Sequence, residues 1–355
     1  LKQEPIKETL KQEPIKQEPI KQTLKQKTLN RSSQTPDRMT AAVITGAGQM
    51  ELMEAPVPDP GPEEVLIRME GCGVCSSNLP PWEGREWFSY PMEPGAPGHE
   101  GWGVVEKTGE RVTSLKPGDR VTALSYHAFA EYDTARADQT VKLPDSFRDQ
   151  PVPGEPLGCA MNIIRRSAIE PGMHVAVIGA GFLGCLLVQL AIQNGASVTA
   201  ISRRRSSLEM ARQFGAERTL SFEKSAELPT LMEEITDGKL CEVVIEATGK
   251  QEPLTLAAQL TAERGRLVVA GYHQDGPRQV DMQLWNWRGL DVINAHERDP
   301  DIYLRGMQEA VDALAEGRLN PAPLYTHTFG IESAQQAFQT LQQQPETFTK
   351  ALILF

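Results

Sequence analysis

The sequence is short of cysteine, aromatic residues and positive charge, and it has no long hydrophobic run. Five cysteines in 355 residues are too few for a disulfide scaffold, which favours a reducing, cytoplasmic location. No apolar run reaches the ~18–20 residues of a membrane span, and the polar, Lys-rich N-terminus lacks the apolar centre of a signal peptide. The net charge of −11 argues against nonspecific nucleic-acid binding, because the protein would repel the phosphate backbone. We therefore expect a soluble protein without a membrane or nucleic-acid partner.

Length and composition are those of an ordinary globular protein. The hydrophobic fraction is 40% and the charged fraction is 23%. A chain of 355 residues corresponds to about two domains and can enclose a cleft between them.

Residues 1–38 differ from the rest of the chain. The pentapeptide KQEPI occurs at 2–6, 11–15 and 16–20, and this tail carries a net charge of +4, whereas residues 39–355 carry −15. Low hydrophobicity and recurring proline predict a disordered, low-complexity segment. An over-extended or engineered start before Met39 is an equally good interpretation, and a docking arm for an acidic surface is a third.

Residues 39–156 are typical of a β-rich domain. Short strands are predicted around Val65–Met69, Gly103–Glu106, Arg120–Ala123 and Phe129–Tyr132, separated by clusters of proline and glycine. This pattern indicates short, irregular strands rather than helices.

Strands and helices alternate in residues 157–299. The apolar strands His174–Ile178 and Ser197–Ile201 enclose a helical pattern, and a second helix is predicted over Ser206–Phe214. This alternation is typical of a parallel, doubly wound sheet. After residue 300 a helix over Asp301–Glu316 is followed by short strands.

A glycine-rich loop joins the first of these strands to its helix. Gly179 suits a tight turn, Gly181 lets the backbone approach a pyrophosphate, and Gly184 permits close packing of helix and strand. The helix N-terminus then supplies N–H donors to the phosphates. The loop predicts a dinucleotide site.

The end of the second strand indicates which dinucleotide binds. NAD sites usually have Asp or Glu there, but this chain has Ser202 followed by Arg203, Arg204 and Arg205. Guanidinium groups suit phosphate, so we predict NADP(H). A solvated basic helix start is the alternative.

Three residues distant in sequence offer a candidate metal site. Cys75 lies in GVCSSN, His99 in PGHEGWG and Glu155 in GEPLGCAMN. One thiolate, one imidazole and one carboxylate suit a three-ligand zinc site with an open position. Cys72 and Cys75 also form a C-x-x-C pair, for which a redox role is the alternative.

These motifs together resemble the medium-chain dehydrogenase/reductase family, the zinc alcohol and polyol dehydrogenases. The resemblance rests on PGPEEVLIRMEGCGVC, GHEGWGVV, LKPGDRV, FAEY, GAGFLG, IEATG, GRLVVAG and FTKALILF. It implies an α/β protein with a GroES-like β-rich catalytic domain at 39–156, completed by 300–355. A Rossmann-type cofactor domain at 157–299 is inserted between these parts.

The resemblance also assigns the metal-site residues. Cys75 and His99 match the catalytic zinc ligands, and Glu155 matches the third ligand of the polyol dehydrogenase branch. Cys159 is the runner-up ligand. Glu100 matches the glutamate beside the zinc, as a supporting group or an alternate ligand.

Ser77 matches the hydroxyl that carries the substrate proton, but its surroundings depart from the family pattern. The usual Asp is Asn78, and Pro80 stands where a relay histidine is often found. The lobe with four clustered cysteines that binds structural zinc is missing from Arg120–Tyr132, so we expect one zinc. The predicted cofactor-binding residues are Gly179, Gly181, Phe182, Leu183, Gly184, Ser202, Arg203, Arg204 and Thr248.

The implied activity is zinc-dependent hydride transfer between an alcohol or polyol, or its aldehyde or ketone, and NADP(H). A zinc-free NADPH quinone or enone reductase of the same superfamily is the alternative enzyme. A noncatalytic cofactor-binding protein is the alternative outside enzymes. The resemblance also implies a homodimer or homotetramer.

Overall fold

The structure, a computed structural model, describes residues 35–355. The predictions made for residues 1–34 lie outside this range. The strands are β1 Arg38–Gly46, β2 Gln49–Pro56, β3 Glu64–Val74, β4 Gly101–Thr108, β5 Arg120–Ala123, β6 Tyr132–Arg136, β7 Thr140–Lys142, β8 His174–Ile178, β9 Ser197–Ser202, β10 Arg218–Ser221, β11 Cys241–Glu246, β12 Thr261–Val269, β13 Asp291–Asn294, β14 Tyr325–Gly330 and β15 Lys350–Leu354. The helices are α1 Leu79–Glu83, α2 Gly154–Ser167, α3 Phe182–Gln193, α4 Arg205–Gln213, α5 Leu228–Ile235, α6 Gln251–Leu260, α7 Met282–Arg288, α8 Pro300–Ala315 and α9 Ala334–Gln343.

One sheet is parallel throughout. Its six strands have the order β10-β9-β8-β11-β12-β13, and every neighbouring pair is parallel. The central strands β8, β9 and β11 are buried on both faces, which explains their largely apolar sequences, whereas the edge strand β13 is mostly exposed. The chain order reverses direction beside β8, and in such sheets ligands bind at that point, beyond the carboxyl ends of the strands.

The second sheet is mixed and places the last strand, β15, beside β3, whereas β1 and β2 form a separate two-stranded sheet. Seven strands take part in the order β14-β15-β3-β4-β5-β7, with β6 paired to β3. Strand β15 lies antiparallel to β3, with Ile353 opposite Cys72. Its core includes Trp82 and Phe338, whose ring centroids lie 5.4 Å apart. The predicted α/β fold with a β-rich part and a doubly wound parallel sheet is confirmed.

Two boundaries differ from a simple reading of the sequence. The strand predicted over Phe129–Tyr132 is displaced to β6, and Phe129 instead lies in the core, where its carbonyl accepts from the Ala42 N–H at 2.8 Å. Tertiary packing of the Phe129 ring therefore outweighs its strand propensity. The domain boundary predicted between residues 156 and 157 lies inside α2, and the domain limits stay a prediction.

Among the helices of residues 35–355, none is both long and apolar enough to cross a membrane.

Candidate active site

The pairing of β3 with β4 places Cys75 near His99. The strands are antiparallel with Cys72 opposite Gly101, so the residue after β3 and the residues before β4 meet at the same edge of the sheet. In the described part of the chain, ligand atoms of Cys75, His99 and Glu100 lie within 4.8 Å of one another. The sheet thus joins two of the three predicted metal ligands.

Hydrogen bonds orient the His99 ring. Its Nδ1 lies 2.9 Å from the Pro97 carbonyl oxygen, which only accepts, so Nδ1 carries a proton and Nε2 faces the site. The Ser77 hydroxyl lies 3.3 Å from Nε2. The predicted proton carrier therefore adjoins the atom of His99 that would bind a metal.

Helix α2 presents Glu155 in its first turn. The Gly154 N–H donates to Thr122 Oγ1 at 2.9 Å, and the Thr122 hydroxyl donates to the Gly101 carbonyl at 2.8 Å. These bonds tie the start of α2 to the strand that follows His99. Cys159, one turn later, donates its thiol to Glu155 Oε1 at 3.3 Å, and burial raises the pKa of the Glu155 carboxyl.

The electrostatics of the site favour a cation. Burial alone would lower the pKa of His99, but the adjacent Cys75, Glu155 and Glu100 raise it to about 10. One thiol, two carboxyl groups and one imidazole therefore share the site, a set of donors that suits a divalent metal. Glu155 does not join the 4.8 Å group of the described residues, so its role as third ligand stays a prediction.

Glu100 is held by a residue that the sequence analysis missed. The Lys350 ammonium lies 2.6 and 2.5 Å from the two Glu100 carboxylate oxygens, and both side chains are buried. Burial alone would lower the pKa of the Lys350 ammonium, but the Glu100 carboxylate holds that pKa above its usual value. The same ammonium lies 4.9 Å from the Phe182 ring centroid, so Lys350 links the metal site to the glycine-rich loop.

Asn78 braces the loop that carries Cys75. Its Oδ1 accepts from the Cys75 N–H at 2.9 Å, and its Nδ2 donates to the Pro97 carbonyl at 3.1 Å. An ionised Asp accepts only, so it could make the first bond but not the second. Asn78 thus makes both bonds, of which an ionised Asp at this position could make only the first.

The glycine-rich loop has the geometry predicted for a dinucleotide site. Gly179 has φ +99°, and a Cβ on Gly184 would lie 1.8 Å from the Gly179 carbonyl oxygen. At Gly181, by contrast, the nearest atom to an added Cβ is Arg204 Nη2 at 4.0 Å. The backbone at Gly181 is therefore open to a ligand, and α3 begins at the next residue.

A buried carboxylate shapes the turn that contains Thr248. Glu246 Oε1 accepts from the N–H groups of Thr248 and Gly249 at 2.7 and 3.0 Å, and Oε2 lies 3.0 Å from His273 Nε2. Arg278 donates to His273 Nδ1 at 2.8 Å, so His273 Nε2 carries the proton donated to Glu246. The sequence analysis missed Glu246 and His273, and their separation in sequence offered no signal.

The three basic residues after β9 have different surroundings. The Arg203 guanidinium lies 5.5 Å from the Phe222 ring centroid, and the half-buried Arg204 donates to the Phe348 carbonyl. Arg205 is exposed and begins α4. Ser202, the last residue of β9, is partly buried. Two guanidinium groups thus stand at the carboxyl end of a parallel strand, where a cofactor binds in such sheets.

Comparison with known proteins identifies both parts of the chain. The family model "Alcohol dehydrogenase GroES-like domain" matches residues 61–145, and the model "Zinc-binding dehydrogenase" matches residues 183–314. Sorbitol dehydrogenase of Gallus gallus is 31% identical over 342 residues, which cover 85% of this chain and 93% of that protein. The human sorbitol dehydrogenase is 32% identical over 343 residues, which cover 85% of this chain and 92% of that enzyme.

Solved structures share the fold. A putative zinc-binding dehydrogenase from Sinorhizobium meliloti bound to NADP matches with a TM-score of 0.78 and 22% identity, covering 90% of this chain and 100% of that one. The 2R,3R-butanediol dehydrogenase from Bacillus subtilis matches with a TM-score of 0.78 and 22% identity, covering 89% of this chain and 99% of that one. From its sequence relatives, the chain belongs to the zinc-dependent medium-chain dehydrogenase/reductase family.

Proposed function

We propose that this protein is a zinc-dependent oxidoreductase that transfers hydride between an alcohol or polyol, or the corresponding carbonyl compound, and NADP(H). The observation that carries the proposal is the cluster of Cys75, His99 and Glu100 with the Ser77 hydroxyl on His99 Nε2. A soft thiolate, an imidazole and a carboxylate suit one catalytic zinc.

Cys75, His99 and Glu155 would hold the metal. Glu100 lies within the cluster, but both its oxygens face the Lys350 ammonium, which neutralises its charge. Among the described residues, Glu155 accepts a weak thiol donor from Cys159, and its carboxylate would remain available to a cation. Glu100 would act on the site through its ion pair with Lys350 and through its packing.

Ser77 would move the proton. When bound, zinc polarises the substrate oxygen and the nicotinamide accepts or supplies the hydride. The Ser77 hydroxyl, next to His99 Nε2, both donates and accepts, so it can take the alcohol proton during oxidation and return it during reduction. Pro80 has no side-chain proton to pass on, so the relay continues through solvent or the cofactor's hydroxyls.

Arg203 and Arg204 support the NADP(H) preference. They follow β9, and no carboxylate occupies 202–205 to repel a 2′-phosphate. Guanidinium groups bind phosphate oxygens with charge-assisted hydrogen bonds.

Polyols are the first substrates to test. The sorbitol dehydrogenases share about a third of their sequence with this chain over most of its length. A sugar alcohol offers neighbouring hydroxyls, one to be oxidised and others to be bound. The predicted cytoplasmic location and the predicted homodimer or homotetramer also belong to this proposal.

Zinc content is the deciding measurement. We expect about one zinc per full-length chain by elemental mass spectrometry. The zinc should be lost in Cys75→Ser and kept in the control Cys241→Ala, whose side chain is buried in the core of the parallel sheet. The wild type should then oxidise polyols with NADP⁺. Zinc retained by Cys75→Ser would contradict the ligand assignment. A wild type without zinc would contradict the mechanism and favour the quinone or enone reductase.

A further inference from the structure

A carboxylate from the C-terminal part of the chain occupies the N-terminus of α4. Glu346 Oε1 accepts from the Ser206 N–H at 2.8 Å, and the Ser206 hydroxyl donates to the Glu346 carbonyl. Glu346 lies between α9 and β15, 140 residues from Ser206. Folding therefore delivers this negative charge to the turn that follows the basic residues.

The same turn is the place where the proposed cofactor's additional phosphate would interact. The Arg204 guanidinium lies between Gly181 and the Phe348 carbonyl, so the basic segment adjoins the glycine-rich loop. In the first turn of α4, the Ser207 hydroxyl is 2% exposed and has no hydrogen-bond partner among the described residues. This turn thus combines guanidinium groups, backbone donors and an unpaired buried hydroxyl.

Glu346 is bound there as an anion. The backbone N–H of Ser206, followed by smaller effects of the Ser206 hydroxyl, the Arg204 guanidinium and the Arg205 N–H, holds the pKa of the Glu346 carboxyl below its usual value. The positive end of the α4 dipole adds to this stabilisation. The Ser206 N–H, a donor that a 2′-phosphate would use, is therefore already bound to the Glu346 carboxylate.

We infer that Glu346 is a specificity-determining residue that weakens the binding of NADP(H) relative to NAD(H) by competing with the 2′-phosphate for the first turn of α4. The inference rests on the proposed function, since it concerns the same cofactor site. NAD(H) carries only a hydroxyl at that position, so Glu346 does not compete with it. Arg203 and Arg204 favour the phosphate, whereas Glu346 opposes it, and the cofactor preference is the balance of the two effects.

The size of the effect follows from the exposure of Glu346, which lies at the surface. Solvent screens an exposed charge, and its interaction with a helix N-terminus is modest. We expect Glu346→Gln to tighten phosphate binding roughly two- to fivefold at low ionic strength. Added salt should reduce the difference between wild type and variant.

The experiment uses two ligands that differ only in the phosphate, 2′,5′-ADP and 5′-AMP, titrated calorimetrically into the full-length protein. Glu346→Gln should tighten 2′,5′-ADP and leave 5′-AMP unchanged. Glu209→Gln is the matched control, because it removes an equal charge from an exposed position later in the same helix. It should change 2′,5′-ADP binding less.

The outcomes separate this inference from the proposed function. Unchanged or weaker 2′,5′-ADP binding in Glu346→Gln, or equal tightening of both ligands, would overturn the role of Glu346. Equal effects of Glu346→Gln and Glu209→Gln would also overturn it, since they would reflect net charge alone. A wild type that binds both ligands equally would instead contradict the NADP(H) preference, and a gain for 2′,5′-ADP in Glu346→Gln would then still support the inference.

Discussion

The carboxylate of Glu100 and the ammonium of Lys350 form a buried ion pair between residues 250 positions apart. Glu100 is fully buried and Lys350 is 5% exposed. The pair fastens the last strand to the candidate metal site, and the Lys350 ammonium also faces the Phe182 ring of the glycine-rich loop. Charges this deeply buried are tolerated only when paired.

Removing Lys350 should destabilise the protein strongly. Lys350→Met leaves the Glu100 carboxylate buried without a counter-charge, and we expect a loss of about 3–5 kcal/mol in the free energy of unfolding, measured by urea titration. The control Lys107→Met breaks the exposed pair with Asp59 and should cost no more than about 1 kcal/mol. Similar losses in both variants would contradict the importance of the buried pair.

The choice between Glu155 and Glu100 as third ligand can be made by zinc titration. Glu155→Gln should abolish tight zinc binding, since it removes a direct ligand. Glu100→Gln should weaken binding about 10- to 100-fold, the usual effect of a supporting group. Cys159→Ser should retain zinc. Loss of zinc in Glu100→Gln but not in Glu155→Gln would reverse the two roles.

Arg203 should discriminate between the cofactors. Arg203→Ala removes a charge-assisted contact to phosphate, so the KM for NADPH should rise about tenfold or more while that for NADH changes little. Arg205→Ala, at an exposed position two residues later, is the control. Arg204 is less suitable because its bond to the Phe348 carbonyl gives it a structural role. Equal rises for NADPH and NADH in Arg203→Ala would remove the basis for the preference.

Asp119 should contribute to stability at neutral pH and lose that contribution in acid. Burial alone would raise the pKa of this carboxyl, but the Lys142 ammonium at 2.7 Å and the Lys116 N–H at 3.1 Å hold it below its usual value. The stabilisation is therefore complete above the unfolded pKa of about 3.9 and disappears as pH falls through the lower folded pKa.

Unfolding of Asp119→Asn across the pH range tests this sign. The wild type should be more stable than the variant near pH 7, and the two curves should converge as the pH falls below the folded pKa of Asp119. Asp59→Asn, at a side chain that is 93% exposed, should show little difference at any pH. A wild-type advantage that grows in acid would contradict the assignment.

Local features of the sequence predicted much of the fold. Strand His174–Ile178, the loop from Gly179 to Gly184 and the following helix were predicted at their observed places, because glycine geometry and hydrophobic periodicity act over a few residues. The displaced strand at Phe129 is the counterexample. Its position depends on burial against distant segments, which local periodicity does not record.

The candidate metal ligands Cys75, His99 and Glu155 are each a weak signal alone and were assigned through the family resemblance. The glycine-rich loop and the basic residues after β9 could be recognised from short motifs. The arrangement around those residues could not. Lys350 beside Glu100, His273 beside Glu246 and Glu346 on the first turn of α4 each join segments far apart in the chain. Charge pairs and single hydrogen bonds leave no periodic pattern, and they form only where folding has brought the two sheets and their loops together.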